Sequence, residues 1–513
     1  MELKLLRGIE PREYQKSIAE TALKNNTLVV LPTGMGKTLI SVLVGIERLE
    51  KCPGSQIMIT APTRPLNAQH KKSFERLTSI SPEEIILITG KINPVEREQL
   101  YKKGRVIVST PQCIENDLKN GKLNLENFSF ITFDECHRTV KDYAYTYVAK
   151  KYMEQAKWPL ILGLTASPGG SYEKIETIRE NLFIESVEIR TESDGDVRPY
   201  VKDVEKDWVY VDFPEEFKKI KVLLEESLKE DIYWLREHHY IQTYKPSKKI
   251  LLALQNRAAA RLTEGAKSYA LMWVMMKTAE AIKIEHAIEL LETQGINPLK
   301  EYFEKLSHSN KRTDKKLMND PRIREAIDSV KELYEKGVEH PKLIKLESIV
   351  KELVKENPQV KIIVFANFRS TVDKITQLLR ENNVNSEILI GQAARERSGL
   401  TQEQQIENLK RFARNEFNVL VGTSISEEGL SIPAVDYVIF YESVPSEIRT
   451  IQRRGRTGRT AAGKAIFLIT KDTMDEAYYW AAFHKERKMK GILYDMKNRK
   501  LKKEKKDLMD WAK

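Results

Sequence analysis

The chain has 513 residues, 41% of them hydrophobic and 31% charged, and its 85 Lys and Arg against 74 Asp and Glu give a formal net charge of +11. At about 100 to 200 residues per domain, this length predicts several domains with packed cores, and the basic excess points to a polyanionic partner, nucleic acid ahead of anionic membrane. No apolar run reaches the ~18 residues needed to cross a bilayer, the N-terminus lacks an apolar signal core, and the three scattered cysteines, Cys52, Cys113 and Cys136, form neither a disulfide framework nor a zinc site; the expectation is a soluble cytoplasmic protein without a membrane partner.

From about Thr27 to Ser167, short runs rich in Val, Ile and Thr (TLVVL, QIMITAP, EIILIT, RVIVST, FSFITFDE, LILGLTAS) alternate with amphipathic segments. Such runs are short enough for buried strands, and their alternation with helices predicts an α/β unit with a parallel sheet covered on both faces. From about Glu215 to Lys336 the alternation stops. ESLKEDIYWLREHHYI and SYALMWVMMKTAEAIKIEHAIELLE have helical spacing of apolar residues, and NDPRIREAIDSVKELYEKG opens with an Asp-Pro helix entry and ends on Gly337. Alternation resumes with KIIVFA, SEILIG, NVLVGTS, DYVIFYE and KAIFLIT, a second α/β unit. The short strand DWVYVDFP near 207 to 214 is assigned to this second unit, which makes the helical block an insertion into it. The tail KNRKLKKEKKDLMDWAK reads as a solvated helix end or a linker.

TLVVLPTGMGKT reads strand, loop, helix, the context of a phosphate loop. Leu31 stands where the pattern G-x-x-x-x-G-K-[ST] has its first glycine, and Pro32-Thr33-Gly34 can make the turn instead. Gly34 and Gly36 let the backbone curl its N–H groups toward an anion, in front of the positive end of the following helix. Lys37 is the candidate for the β- and γ-phosphates and Thr38 for Mg²⁺. In FITFDECH two carboxylates emerge from a strand end: Asp134 as a Mg²⁺ ligand and Glu135 as the group that orients and deprotonates an attacking water. In IQRRGRTGR, Arg456 and Arg459 follow Gln452 near the end of the second unit. Arginine is always charged and forked, suited to charge developing on a γ-phosphate, and such a finger is worth about 10³ to 10⁵ in rate. With loop and carboxylates on one unit and arginines on the other, the expectation is ATP hydrolysis that requires the two units to close.

The motifs EPREYQ, LPTGMGKT, APTRPL, STPQ, DECH, TAS, IIVFANFR, GTSISEEGLSIP and QRRGRTGR, in this order from about Arg12 to Arg459, resemble those of the superfamily 2 helicases. With its helical insertion the chain looks like the archaeal Hef fork-DNA helicase/nuclease group and its Fanconi-anaemia M relatives. The resemblance implies two RecA-like domains with ATP between them: 1–200 as the first, 201–214 as a connecting strand of the second, 215–336 as the helical insertion, 337–485 as the second, and 486–513 as a basic tail or linker. It further implies that Arg12 and Gln15 contact adenine, that His137 and Gln452 sit near the γ-phosphate, and that Thr165 and Ser167 couple hydrolysis to strand movement. Thr63, Arg64, Thr89, Gly90 and Thr110 would hold the nucleic-acid backbone from the first domain, and Arg369, Gly391, Gln392 and Thr423 from the second. Ser431 stands where the family usually has a ribose-binding Asp. The archaeal relatives carry a downstream nuclease signature E-R-K-x-x-x-D; here ERKMKGI has Ile492 in place of the Asp, so Glu486-Arg487-Lys488 reads as part of a charged helix, and a nuclease domain is expected only downstream in a longer chain.

Within the insertion, Lys245, Lys248, Lys249, Arg257 and Arg261 form a candidate basic surface for duplex arms, with affinity that falls with salt; Tyr233, Trp234 and Tyr240 are expected to be core. The leading expectation is an ATP-driven motor on forked or branched DNA. A motor or sensor on duplex RNA and a scaffold that uses ATP as a switch are the alternatives, because nothing in the motifs separates deoxyribose from ribose.

Overall fold

The protein is described by a computed structural model, which covers Leu5 and residues 9–201, 204–264, 268–391, 400–423, 432–442 and 463–511, with backbone alone for 402 and 498–511. Seven short strands build the first unit: β1 (Thr27–Val30), β2 (Gln56–Thr60), β3 (Ile85–Ile88), β4 (Val106–Ser109), β5 (Phe128–Asp134), β6 (Ile161–Thr165) and β7 (Ser186–Ile189). They lie in the order β3-β4-β2-β5-β6-β1-β7, with the described pairings parallel. Helices cover both faces, so the inner strands are buried on both sides and their residues divide by period two. In β1, Leu28 and Val30 join one core layer and Val29 joins the other. The register skips between Gln56 and Ile57, whose partners on β5 are Phe128 and Phe130. That irregularity puts Phe128 on the face of Ile131 and Phe133 and leaves Phe130 on the opposite face.

The second unit repeats the plan with β8 (Val204–Val211), β9 (Ile362–Phe365), β10 (Ser386–Leu389), β11 (Val419–Gly422), β12 (Tyr437–Phe440) and β13 (Gly463–Thr470), in the order β10-β11-β9-β12-β13-β8. β8 precedes the helical block in sequence yet pairs with β13 along its whole length. The helical block is therefore inserted in this unit. The architecture is α/β: two RecA-like parallel-sheet domains with a helical domain in the second.

The insertion packs two apolar clusters of its own. One joins helices Glu215–Glu237, Tyr269–Thr293, Ile296–Ser307 and Pro321–Glu335 through Phe217, Leu224, Leu291, Phe303 and Val330. The other lies near its far end, around Ile232, Leu235, Leu251 and Val274. The Asp-Pro entry forms as the sequence predicts: the Asp320 side chain accepts from the Arg322 N–H at 2.9 Å.

The final helix, Met474–Trp511, leaves β13 of the second unit and returns to the first. Met489 and Leu493 are buried in the first unit's core, and Lys497 pairs with Asp194 at 2.5 Å. The segment from 486, read from its charge as a tail or linker, thus begins as a packed element. The i, i+4 spacing of Met489 and Leu493 gives it an apolar stripe under the charge.

Candidate functional site

Parallel α/β sheets bind ligands beyond the carboxyl ends of their strands, and the first unit gathers its motif residues there. β1 ends at Val30, and the next residue, Leu31, is fully buried, with its N–H donating to the Thr165 carbonyl at 3.1 Å. The position that lacks the usual glycine is thus still hydrogen-bonded to the end of the neighbouring strand β6, and the turn begins after it. Gly34 and Gly36 take φ of 80° and 77°, left-handed values that glycine adopts without strain. Gly36 also caps helix Lys37–Lys51, and a Cβ there would lie 2.4 Å from Gln15 Nε2.

That contact belongs to a latch behind the loop. Gln15 Nε2 donates to the Met35 carbonyl at 3.1 Å and Gln15 Oε1 accepts from Arg12 N–H at 2.9 Å. Tyr14 donates to the same Met35 carbonyl at 2.9 Å and accepts from the Arg12 guanidinium at 2.8 Å, and Arg12 lies 4.1 Å over the Tyr200 ring. Arg12 and Gln15 therefore shape the loop directly. Tyr14 and Tyr200 were not singled out in the sequence. Thr33 and Thr38 are half-buried at the loop's two ends, and Lys37 Nζ folds over the loop, donating to the carbonyls of Leu31 at 3.0 Å and Pro32 at 3.3 Å.

Asp134 ends β5. Burial works against its charge, but the hydrogen bond and charge of His70 and the charge of Lys37 outweigh it, and the carboxyl is held below its ordinary value. Oδ2 lies 2.8 Å from His70 Nε2 and Oδ1 accepts from the Glu135 N–H at 3.0 Å. The Tyr145 hydroxyl donates to the Asp134 carbonyl at 2.7 Å. Glu135 takes φ 49° and ψ 45°, a left-handed conformation uncommon outside glycine that recurs at functional sites. Its Oε2 is buried and makes no hydrogen bond among the described residues, although His137 Nδ1 is 3.3 Å away. An orphaned carboxylate oxygen beside an ionised Asp, a lysine and a glycine-shaped anion loop fits a nucleoside triphosphate with its divalent cation. His137 Nδ1 also meets Thr165 Oγ1 at 3.1 Å, Thr165 Oγ1 accepts from the Ser167 N–H at 3.1 Å, and Ser167 Oγ donates to Met489 Sδ at 3.0 Å. The carboxylate turn and the TAS segment are thus wired to each other and to the returning C-terminal helix.

The nucleic-acid candidates fall at a second group of strand ends. Thr63 and Arg64 follow β2, Thr89 and Gly90 follow β3, and Thr110 follows β4, and these three strands are neighbours in the sheet. Thr63 caps helix Arg64–Leu77 and Thr110 precedes helix Pro111–Lys119. In the second unit Arg369 follows β9, Gly391 follows β10 and Thr423 follows β11, again three neighbours. Arg369 donates to the Gly391 carbonyl at 2.9 Å. Gln392, Ser431, Gln452, Arg456 and Arg459 lie outside the described residues.

On the insertion, Lys245 precedes helix Lys248–Thr263, which carries Lys248, Lys249, Arg257 and Arg261, and all five are exposed. The aromatics depart from the expected core placement. Tyr233 is 49% exposed and Tyr244 51%, with Arg236 3.5 Å over the Tyr244 ring. Trp234 and Tyr240 are half-buried, and Trp234 stacks on His238 at 4.2 Å. Helix Glu215–Glu237 directs Ile232 and Leu235 inward, and the residues between them fall off that face.

Among the described residues no helix is long and apolar enough to cross a membrane. Three family models match: DEAD/DEAH box helicase over 12–175, "Putative ATP-dependent RNA helicase, helical bundle" over 216–337, and Helicase conserved C-terminal domain over 344–461. The chain is 45% identical over 95% of its length to "Putative ATP-dependent RNA helicase MJ1505" of Methanocaldococcus jannaschii, covering 61% of that protein. It is 33% identical over 90% of its length to "ATP-dependent DNA helicase fml1" of Schizosaccharomyces pombe, covering 57%, and 34% identical over 94% to "ATP-dependent DNA helicase MPH1" of Pyricularia oryzae, covering 45%. It thus spans roughly half of these relatives' own lengths. The crystal structure of the Pyrococcus furiosus Hef helicase domain superposes with a TM-score of 0.70 and 44% identity, over 92% of this chain and 98% of that one. With both motor units matched in order around the helical bundle, the chain belongs to the superfamily 2 helicases, as an ATP-hydrolysing member alongside the Hef helicase domain.

Proposed function

We propose that this chain is a motor that uses ATP and Mg²⁺ to unwind or remodel forked and branched DNA. The observation that carries the reading is a repeated surface: in each unit, three neighbouring strands end in hydroxyls, glycine amides or an arginine, the groups that hold a phosphate backbone without reading bases. Lys37 and the loop amides hold the triphosphate, Thr38 and Asp134 hold Mg²⁺, Glu135 orients and deprotonates the attacking water, and Arg456 with Arg459 meets the γ-phosphate from the second unit. The cation, when bound, supplies positive charge to the phosphate oxygens. The exposed cations of the insertion add a grip outside the motor track, suited to the second arm of a junction. DNA is favoured by relatives named as DNA helicases.

A motor on duplex RNA is the second reading, favoured by the RNA-helicase names of the M. jannaschii relative and of the bundle model. ATPase rate against single-stranded, duplex, forked and four-way DNA and duplex RNA separates the two. Forked or four-way DNA is expected to stimulate most. Equal stimulation by linear duplex removes structure selectivity, and stronger stimulation by duplex RNA transfers the function to RNA. Lys37→Ala is expected to lower the ATPase rate at least about a hundredfold while DNA affinity without nucleotide stays within twofold; hydrolysis that survives the substitution overturns the site.

A further inference from the structure

The insertion joins the second unit through a buried polar junction, and its centre is Gln294, the residue that ends helix Tyr269–Thr293. Gln294 is 8% exposed. Its Nε2 donates to Glu442 Oε1 and its Oε1 accepts from the Thr371 hydroxyl. Glu442 follows β12, is 1% exposed, and with Oε2 accepts from the Asn367 N–H at 2.6 Å. Asn367 and Thr371 sit on either side of Arg369 in sequence, and Thr371 lies in the helix that Arg369 begins. One amide on the insertion therefore reaches both flanks of the arginine that opens the second unit's phosphate-facing surface.

The surroundings make this junction rigid. Glu292, two residues before Gln294, accepts from the Met474 N–H at 2.6 Å and pairs with Lys221 at 2.6 Å. Lys342, fully buried, donates to the Tyr441 carbonyl at 2.9 Å and pairs with Asp475 at 3.1 Å. A sealed polar contact of this kind cannot slide by degrees, because a half-broken arrangement leaves buried groups unsatisfied. It holds one arrangement or exchanges it for another, which is what a coupling element between two sites requires.

We propose that Gln294 is a positioning residue through which nucleic acid held by the insertion sets Arg369 and thereby the hydrolytic rate of the motor. This rests on the reading above that the insertion grips nucleic acid. Gln294 itself touches neither nucleotide nor nucleic acid in this scheme. Its loss should leave both binding steps in place and weaken the link between them.

The test measures ATPase rate without DNA and at saturating forked DNA, together with DNA affinity by anisotropy and the thermal unfolding midpoint, for wild type, Gln294→Leu and Thr371→Val. Thr371→Val removes one donor at nearly constant shape and serves if Gln294→Leu fails to fold. The expected result is a fall of about fivefold in the DNA-stimulated to basal rate ratio, with basal rate and DNA affinity within twofold of wild type. A ratio equal to that of wild type in a folded variant overturns the relay, as does a parallel fall of basal and stimulated rates, which marks a merely structural role. If wild type itself is not stimulated by nucleic acid, it is the functional reading that fails, and the relay falls with it.

Discussion

His70 and His340 are both sealed from solvent, yet their surroundings ask different things of the ring. His70 Nε2 meets the ionised Asp134 at 2.8 Å, while its Nδ1 makes no hydrogen bond among the described residues. His340 is saturated as a neutral imidazole: Nε2 donates to the Glu292 carbonyl at 3.0 Å, and Nδ1 accepts from the Lys342 N–H at 3.2 Å as the cap of helix Pro341–Glu356. Burial first, and the Lys342 charge second, push the pKa of His340 down from 6.5 to about 3, against a smaller upward pull from Glu292. A folded value below the unfolded one means that the unfolded chain takes up the proton first as pH falls. The contribution is complete above pH 6.5 and is lost as pH falls toward 3; by pH 5 the loss amounts to about 2 kcal/mol. Asp231, Glu285 and Glu442, pushed up to about 7 chiefly by burial, act in the opposite direction, since their stabilisation is lost as pH rises. The comparison with His340→Asn, which keeps a capping acceptor and removes the titration, isolates the histidine. Denaturant unfolding at pH 7 and pH 5 should show a drop smaller by about 2 kcal/mol in the variant; equal drops would mean that His340 does not titrate as its surroundings require. Neither histidine could be singled out in the sequence. The phosphate loop and the Asp134-Glu135 pair are contiguous and carry their own pattern, whereas His70 meets Asp134 only because β2 and β5 are neighbours in the sheet.

At the scale of elements, the strands that were easiest to read are those buried on both faces, because burial from two sides demands an unbroken apolar run. β7 escaped for the converse reason. It is four residues at the sheet's edge, and it contains Glu188, which is buried and pairs with Arg190 at 3.1 Å. In the C-terminal helix charge dominates the sequence while only one stripe packs, which hides its docking from a reading by charge. That stripe yields a direct expectation. Leu493 is 4% exposed in the first unit's core, so Leu493→Ala should destabilise by about 2 to 4 kcal/mol, the usual result of emptying a leucine site. Lys490→Ala, three residues earlier and exposed, should stay within about 0.5 kcal/mol. Denaturant unfolding of the two variants decides it. If Leu493→Ala behaves like Lys490→Ala, the helix is not docked on the first unit in solution, and the contact from Ser167 to Met489 loses its meaning as a link between motor units.

For the whole molecule, the alternation of strand and helix made the two α/β units and the intervening helical block legible, and the return of β8 to pair with β13 explains why the block interrupts a domain rather than joining two. The arrangement of the exposed groups was less legible, because the same helical periodicity describes a solvated face and a binding face. Lys248, Lys249, Arg257 and Arg261 occupy one helix, with the exposed Tyr244 and its stacked Arg236 on neighbouring parts of the insertion. Charge on a bland surface would be neutralised by salt alone, whereas charge laid along a phosphate backbone displaces condensed counterions in proportion to its contacts. The two cases separate in the slope of log affinity against log salt for forked DNA. Replacing these four residues by alanine should make that slope shallower by about 3 to 4 if each neutralises one phosphate. Lys37→Ala, which removes one positive charge at the proposed nucleotide site, should leave the slope unchanged. A slope that is the same in the fourfold variant as in wild type would confine nucleic-acid binding to the strand ends of the two motor units and leave the insertion as scaffold.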